Sequence, residues 1–216
     1  MPSENQVMLN KYFKSIRTMK VKKSWIIIGV ILVTVFIIYR FFAGSYNYMV
    51  NYDETVITTW SNVENVYQRR ADLIPNLVST VKGYAAHEQE TFTEVIEARA
   101  KATSVSIDPA NLNAATIQQF QQAQAGLSSA LSKLMVVVER YPDLKANQNF
   151  LELQAQLEGT ENRIAVERRK FNESVKVYNT YIRSFPKNMV AGMYGFERKI
   201  QFKADEGADT VPEVNF

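Results

Sequence analysis

Residues 146–183 read ANQNFLELQAQLEGTENRIAVERRKFNESVKVYNTYIR, and this stretch decides the fold. Its apolar and aromatic residues recur at a helical, heptad-compatible spacing, so they line one face of an α-helix. At 1.5 Å per residue, such a helix is about 55 Å long. Long helices with short connections predict antiparallel packing in a bundle. The residues on this face are Phe150, Leu153, Leu157, Ile164, Phe171, Val175, Tyr178 and Ile182.

Two further stretches carry the same periodicity, residues 46–102 and residues 117–139. The Ser-, Asp-, Pro- and Asn-containing residues 103–116 and the Tyr-Pro-Asp sequence at 141–143 predict the breaks that separate the helical stretches. The sequence therefore predicts three long helical stretches joined by short connections.

Pro75 and Gly83 interrupt the first of these stretches. A proline inside a helix kinks it or ends it, so this stretch is either one rod kinked at Pro75 or two helices joined there. The apolar phase continues through Pro75, which favours the kink. A break there would give four segments of more comparable length, which suits a four-helix bundle.

Residues 24–39 run SWIIIGVILVTVFIIY without a charge, and Arg40 is followed by three more apolar residues before Gly44. About 20 apolar residues span a bilayer, so residues 24–44 are predicted to form a transmembrane helix. A cleaved signal peptide is disfavoured, because the apolar stretch is long and Arg40, Phe41 and Phe42 stand where a small-residue cleavage site is needed. The predicted fold class is all-α: this transmembrane helix, then an antiparallel bundle of four helices, or of three with the first kinked at Pro75.

The net charge of +3 is unevenly distributed. Residues 1–44 carry seven basic residues and one acidic residue, whereas residues 45–216 carry 18 basic and 21 acidic residues. The positive-inside rule therefore predicts a cytoplasmic N-terminus and places residues 45–216 on the opposite, extracytoplasmic side of the membrane. The basic charge lies beside the apolar segment, where it contacts anionic lipid, so nucleic acid is not an expected partner.

Composition excludes most catalytic chemistry. The chain has no cysteine, and its single histidine, His87, precedes Glu88 without completing HExxH, because residue 91 is threonine. A di-iron bundle needs two Glu-x-x-His motifs, and no Walker loop, GxSxG or GxGxxG is present. We therefore expect no catalytic residue, no cofactor and no metal ligand, and a carboxylate- or metal-dependent hydrolase is ranked last.

Charged residues interrupt the apolar faces of the first and third stretches. Because a buried charge needs a partner, we predict a polar layer inside the bundle, in which Arg69 or Arg70 meets Glu158 or Glu161. The alternative is a set of solvated charges on the flanks of the helices. Asn172 and Asn179, seven residues apart, are predicted to form register-setting hydrogen bonds on one side of the helix. The members of the predicted layer are Arg69, Arg70, Asp72, Asn76, Glu158, Glu161 and Arg163.

The residues after Phe185 are apolar but not periodic. They predict an irregular C-terminal tail, 186–216, that caps one end of the bundle; the alternative is a surface for a membrane or a partner. Together these features divide the chain into a basic cytoplasmic arm (1–23), the transmembrane helix (24–44), an extracytoplasmic bundle (45–185) and the tail. The residues of the alternative surface are Met189, Met193, Tyr194, Phe196 and Phe202.

Residues 60–88, WSNVENVYQRRADLIPNLVSTVKGYAAHE, and residues 139–196 resemble the LemA family of bacterial membrane-anchored proteins. The motifs RRADLIPNLV, YPDLKAN, LEGTENRI and FPKNMVAGMYGF stand in the order and spacing of that family, and the resemblance covers residues 40–216. It implies an all-helical extramembrane bundle in a bacterial envelope protein, with no established enzymatic activity. Some members are described with the N-terminus outside, the opposite of what the charge asymmetry predicts here. The positions that match the family pattern are Arg69, Arg70, Asp72, Pro75, Asn76, Tyr141, Pro142, Asp143, Lys145, Asn149, Glu161, Asn162, Arg163, Asn179, Phe185, Pro186 and Gly195.

A heptad-like rod on a membrane anchor, without a catalytic constellation, predicts a scaffold or adaptor. Such a protein self-associates into a homo-oligomer or docks onto another envelope protein. The alternative hypothesis is a module that binds or shapes the membrane through its apolar tail.

Overall fold

The computed structural model describes Gln6, Met8, residues 22–109 and residues 112–203. The basic arm predicted at 1–23 and the end of the tail, residues 204–216, therefore lie almost wholly outside the described residues. The chain divides into two compact units, Met1–Asn47 and Tyr48–Phe216.

Within the described ranges the chain is helical and contains no strand, which confirms the predicted all-α class. The second and third predicted stretches, 117–139 and 146–183, agree at both ends to within three residues with the helices Ala114–Val138 and Gln148–Arg183. The helices are α1 (Lys23–Lys82), α2 (Gln89–Ser104), α3 (Ala114–Val138), α4 (Pro142–Lys145), α5 (Gln148–Arg183) and α6 (Lys187–Tyr194).

The first unit contains the apolar beginning of α1. This helix is long and apolar enough to cross a membrane, and no residue of its most apolar 18-residue window is buried within the structure. Exposed isoleucine, valine and phenylalanine side chains are favourable in lipid and unfavourable in water. Length and composition therefore both support the predicted span at residues 24–44.

Helix α1 continues through Pro75, as the favoured alternative predicted, but it ends at Lys82 and does not reach residue 102. Residues 83–88, which begin at Gly83, form the turn that leads into α2. Pro75 has no N–H, so the carbonyl of Ala71, four residues earlier, loses its donor within the helix. Arg99 Nε of α2 donates to that carbonyl at 2.7 Å. The helix is therefore maintained at Pro75 because a side chain from another helix supplies the missing donor.

In the second unit, long helices that pack against each other run antiparallel. Thr59 Oγ1 of α1 lies 2.8 Å from Ser174 Oγ of α5. Arg70, later in α1, pairs with Glu161, which comes earlier in α5. Helices α2 and α3 pair in the same way, since Glu94 meets Lys133 and Ala102 meets Gln124. The predicted antiparallel bundle is confirmed. Its main core contains Ile74, Leu77, Val81, Phe92, Val95, Leu127, Leu134, Leu144 and Phe150.

Helix α2 has 16 residues, so it accompanies only part of α1. Beside the earlier turns of α1, the connection after α2 supplies the buried residues Ile107 and Leu112, and the C-terminal segment supplies Phe202. The tail was predicted to be irregular, but residues Lys187–Tyr194 form a helix. Gly195, in the left-handed conformation at φ 75°, ends this helix. Residues 196–203, which we call the strap, are extended and non-helical.

Candidate functional site

A buried arginine joins three helices of the bundle. The side chain of Arg70 is only 2% exposed. One terminal nitrogen, NH1, donates to Glu161 Oε1 at 2.6 Å and to Ser128 Oγ at 3.1 Å. The other, NH2, donates to Gln124 Oε1 at 2.7 Å. We call Arg70, Gln124, Ser128 and Glu161 the arginine node.

The arginine node extends to the end of α2, because Gln124 Nε2 donates to the carbonyl of Ala102 at 3.3 Å. The guanidinium also lies 5.2 Å from the ring centroid of Tyr67, within range for a cation–π contact. Each hydrogen bond made by a buried charged group stabilises the fold by about 1.5–3 kcal/mol. The node therefore ties α1, α2, α3 and α5 together at one level.

Of the predicted polar layer, the structure brings Arg70 and Glu161 together. Asp72 lies outside the node, where it accepts from Gln68 at 2.8 Å and faces Arg99 at 3.9 Å. The remaining four predicted members, Arg69, Asn76, Glu158 and Arg163, are exposed on the helix flanks.

Sequence analysis missed Gln124 and Ser128. They stand four residues apart on the apolar face of α3, between Phe120 and Leu131, and that interruption by two polar residues was the available signal. A polar pair on a buried face requires a partner, and here the partner is Arg70.

Two asparagines of α5 hold the strap. Asn179 donates from Nδ2 to the carbonyl of Lys199 at 2.8 Å and accepts from the same residue's N–H at 3.0 Å. Asn172 donates from Nδ2 to the carbonyl of Phe202 at 3.1 Å and accepts from the N–H of Phe202 at 2.8 Å. Each amide thus satisfies both backbone groups of one strap residue, as a neighbouring strand does in a sheet. Asn172 and Asn179 therefore act between a helix and an extended segment.

Phe202 anchors the strap in an aromatic cluster. Its ring stacks on that of Trp60 with 5.7 Å between centroids, and it meets Phe171 edge-on at 5.4 Å. Phe120 closes the cluster against Trp60. The alternative interpretation of the tail placed Phe202 on a surface, but its side chain is only 5% exposed, and Asn172 holds its backbone. Phe196 is half-buried, whereas Met189, Met193 and Tyr194 are exposed.

A second charge pair joins the strap to α1. Lys199 Nζ is 2.7 Å from Asp53 Oδ1 of α1, and the lysine side chain is nearly buried. Tyr178 donates its hydroxyl proton to the carbonyl of Glu197 at 3.0 Å. Burial, reinforced by the negative charges of Asp53 and Glu197, raises the pKa of Tyr178 to about 12. The phenol therefore stays neutral and is a hydrogen-bond donor at physiological pH.

Glu64 of α1 is a half-buried carboxyl. Burial raises its pKa, and the neighbouring Trp60 indole and Ile107 backbone lower it in part. The groups that act on Glu64 thus belong to α1 and to the connection after α2, within this same chain.

Across residues 22–109 and 112–203, no three His, Asp or Glu side chains lie together where they could hold a metal ion. His87 is exposed in the turn before α2. The node, the amide clamp and the Lys199–Asp53 pair each bind groups of this same chain. The candidate site is thus a set of connections between segments, and what it can do chemically is hold those segments in register.

We expect the loss of either clamp amide to weaken the fold measurably. Asn172→Ala or Asn179→Ala removes two hydrogen bonds to the strap and should lower the free energy of unfolding by about 1–3 kcal/mol. Chemical denaturation of the full chain in detergent, followed by circular dichroism, measures this change. Asn162→Ala, at an exposed position of the same helix, is the control and should stay within about 0.5 kcal/mol. Equal losses at all three positions would contradict the clamp.

Comparison with known proteins yields one family and several relatives. The LemA family model matches residues 59–216. The magnetosome protein MamQ of Magnetospirillum gryphiswaldense is 29% identical over 184 residues, with 76% of this chain and 67% of the relative covered. Magnetosome protein MamQ 1 of Paramagnetospirillum magneticum is 28% identical over 183 residues, with the same coverage. Protein LemA of Metamycoplasma hominis is 24% identical over 186 residues, covering 86% of this chain and 81% of the relative.

Proposed function

This chain belongs to the LemA family, as its motifs predicted, and we propose that it acts as a non-enzymatic scaffold or adaptor in the bacterial envelope. One observation carries the proposal: the polar side chains that the fold gathers bind groups of the same chain and join its segments. A bundle held in register this way offers a rigid surface for self-assembly or for another envelope protein.

The relatives are compatible with this role. The name magnetosome protein assigns the MamQ relatives to a cellular structure and states no reaction. The apolar part of α1 and these relatives indicate membrane association for this chain as well. We propose the bacterial inner membrane, with residues 45–216 on its periplasmic side.

The proposed orientation follows from the basic residues that precede the span and is testable because the chain has no cysteine. Single cysteines replace Ser3 in the arm and Val136 in the bundle. A membrane-impermeant maleimide, added to cells with a permeabilised outer membrane, should label Val136→Cys and leave Ser3→Cys unlabelled until the cells are lysed. The reverse pattern would place the bundle in the cytoplasm.

Assembly is the direct test of the scaffold. Ile96, Val136 and Leu151 are exposed apolar residues on α2, α3 and α5, so a lysine at each should disrupt a contact with a partner and leave the core unchanged. We expect the native mass of the complex, measured after gentle extraction from its own membrane, to fall for at least one such variant while its helix content stays constant.

Gln122→Lys, at an exposed polar position of α3, is the matched control and should assemble as the unmodified chain does. A large assembly of this chain alone makes it a self-organising scaffold, and a stoichiometric second protein makes it an adaptor. A monomer in the unmodified protein, or unchanged assembly in all three apolar variants, would overturn the proposal.

A further inference from the structure

The segment that follows α5 exposes large apolar side chains close together in the sequence. Phe185 is 82% exposed, Met189 60% and Met193 69%, and Tyr194 is exposed as well. We call these four residues the apolar patch. Single exposed apolar residues are normal on protein surfaces, but a group of large ones marks a surface that another phase or molecule covers.

Helix α6 is apolar on two sides. Val190 and Ala191 are buried against the bundle, while Met189 and Met193, four residues apart, share one exposed face. A surface helix of a water-soluble domain presents a polar face to solvent. The exposed face of α6 carries methionines where polar residues are expected. The opposite face is already buried against the second unit.

Ring contacts connect the start of this segment to one end of the bundle. Tyr181, near the end of α5, lies 6.0 Å from Tyr48 and 5.0 Å from Tyr52 of α1. Lys187 at the start of α6 places its Nζ 3.9 Å from the centroid of the Tyr181 ring. Tyrosine and lysine are the residues that settle at membrane–water interfaces, since each combines an apolar body with a polar tip.

The chain itself limits how far this end of the bundle can be from a membrane. Tyr48 follows Gly44, the last residue of the predicted span, by four residues. Even a fully extended chain of that length reaches only about 14 Å, so the restriction holds whatever the angle between the two units. The headgroup layer that flanks the hydrocarbon core lies within this distance.

We propose that the apolar patch rests in the headgroup region of the same bilayer that α1 enters. Met189, Met193 and Phe185 would insert at the boundary of the acyl chains, as the apolar face of an interfacial helix does. Arg183, Lys187 and Arg198 lie in the same segment, and Glu197 is its one acidic residue between positions 181 and 200. The segment is therefore positively charged and attracts anionic lipid headgroups. This contact stands independently of the scaffold role, because it holds for a monomer or an assembly.

The absence of cysteine allows a direct measurement of depth. Single variants Met189→Cys and Met193→Cys of the full chain carry the fluorophore NBD in vesicles of phosphatidylcholine and phosphatidylglycerol that contain a doxyl-labelled lipid. The control is His87→Cys, at an exposed position in the turn before α2. We expect the doxyl lipid to lower emission at residues 189 and 193 at least about two-fold and to leave residue 87 nearly unchanged.

Each other result overturns the contact. If aqueous iodide quenches the probes at 189 and 193 as strongly as the probe at 87, and the doxyl lipid quenches none of them, the patch faces water. If neither quencher reaches 189 and 193 until the protein is diluted in lipid, a second copy covers the patch. Circular dichroism of each labelled variant confirms the fold, and Phe185→Cys repeats the measurement at a position outside α6.

Discussion

Replacing Arg70 with alanine is expected to lower the free energy of unfolding by about 3–5 kcal/mol. Truncation leaves a cavity where a long side chain filled the space between α1, α3 and α5. It also removes the guanidinium N–H groups that donate to Gln124 Oε1 and Ser128 Oγ. These two side chains then lie between the helices without their charged partner. Denaturant unfolding of the full chain in detergent, followed by circular dichroism, gives the change.

Arg69→Ala is the matched control, because Arg69 is the same residue type one position earlier and is exposed. It should change the free energy of unfolding by no more than about 0.5 kcal/mol. A third variant, Glu161→Gln, should fall between the two, at about 0.5–1 kcal/mol, because Arg70 keeps its contacts with α3 and solvent screens the half-exposed carboxylate. If Arg70→Ala and Arg69→Ala lower the free energy of unfolding by the same amount, the node does not hold the helices together.

Phe202→Ala is expected to have an effect of similar size, about 3–5 kcal/mol, at the other end of the bundle. The substitution removes a ring that stacks on Trp60 and meets Phe171, and it opens the side of the core that the strap covers. Because the clamp of Asn172 depends on the position of Phe202, the loss should also release the strap. Trypsin should then cleave after Lys199 and Lys203 faster than in the unmodified chain.

Phe185→Ala is the control for this prediction, since it removes the same ring from an exposed position in the same part of the chain. In detergent solution it should shift the free energy of unfolding by no more than about 0.5 kcal/mol and leave tryptic cleavage of the strap unchanged. Strap cleavage at the same rate in Phe202→Ala and Phe185→Ala would show that the strap is not anchored by the aromatic cluster.

The positions of α3 and α5 were predictable from sequence because their signals are local. Apolar periodicity defines both helices, and capping marks where they begin. Asn113 accepts from the N–H of Thr116, and Asn147 accepts from the N–H of Phe150, so each helix begins directly after an asparagine. Each of these capping interactions joins residues three positions apart, so its signal lies in the local sequence.

The turn between α1 and α2 could not be located in this way. Pro75 is the stronger local breaker, yet the helix passes through it, since Arg99 supplies a donor to Ala71 from 28 residues away. The sequence showed that a donor was missing at Pro75. Which residue supplies that donor depends on how α2 packs on α1, and no local pattern encodes that.

The sequence by itself determined the all-α class, the apolar helix long enough to span a membrane and the helical faces, because each follows from the hydrophobicity pattern of neighbouring residues. Only the tertiary structure decided between Arg69 and Arg70 and turned Phe202 inward. The partners of Arg70 on α3 lie 54 and 58 residues away, and the two asparagines that hold the strap precede their partners by 20 and 30 residues. A residue whose polar groups are satisfied by a distant segment carries no sign of that partner in its own surroundings, so folding had to bring the two together.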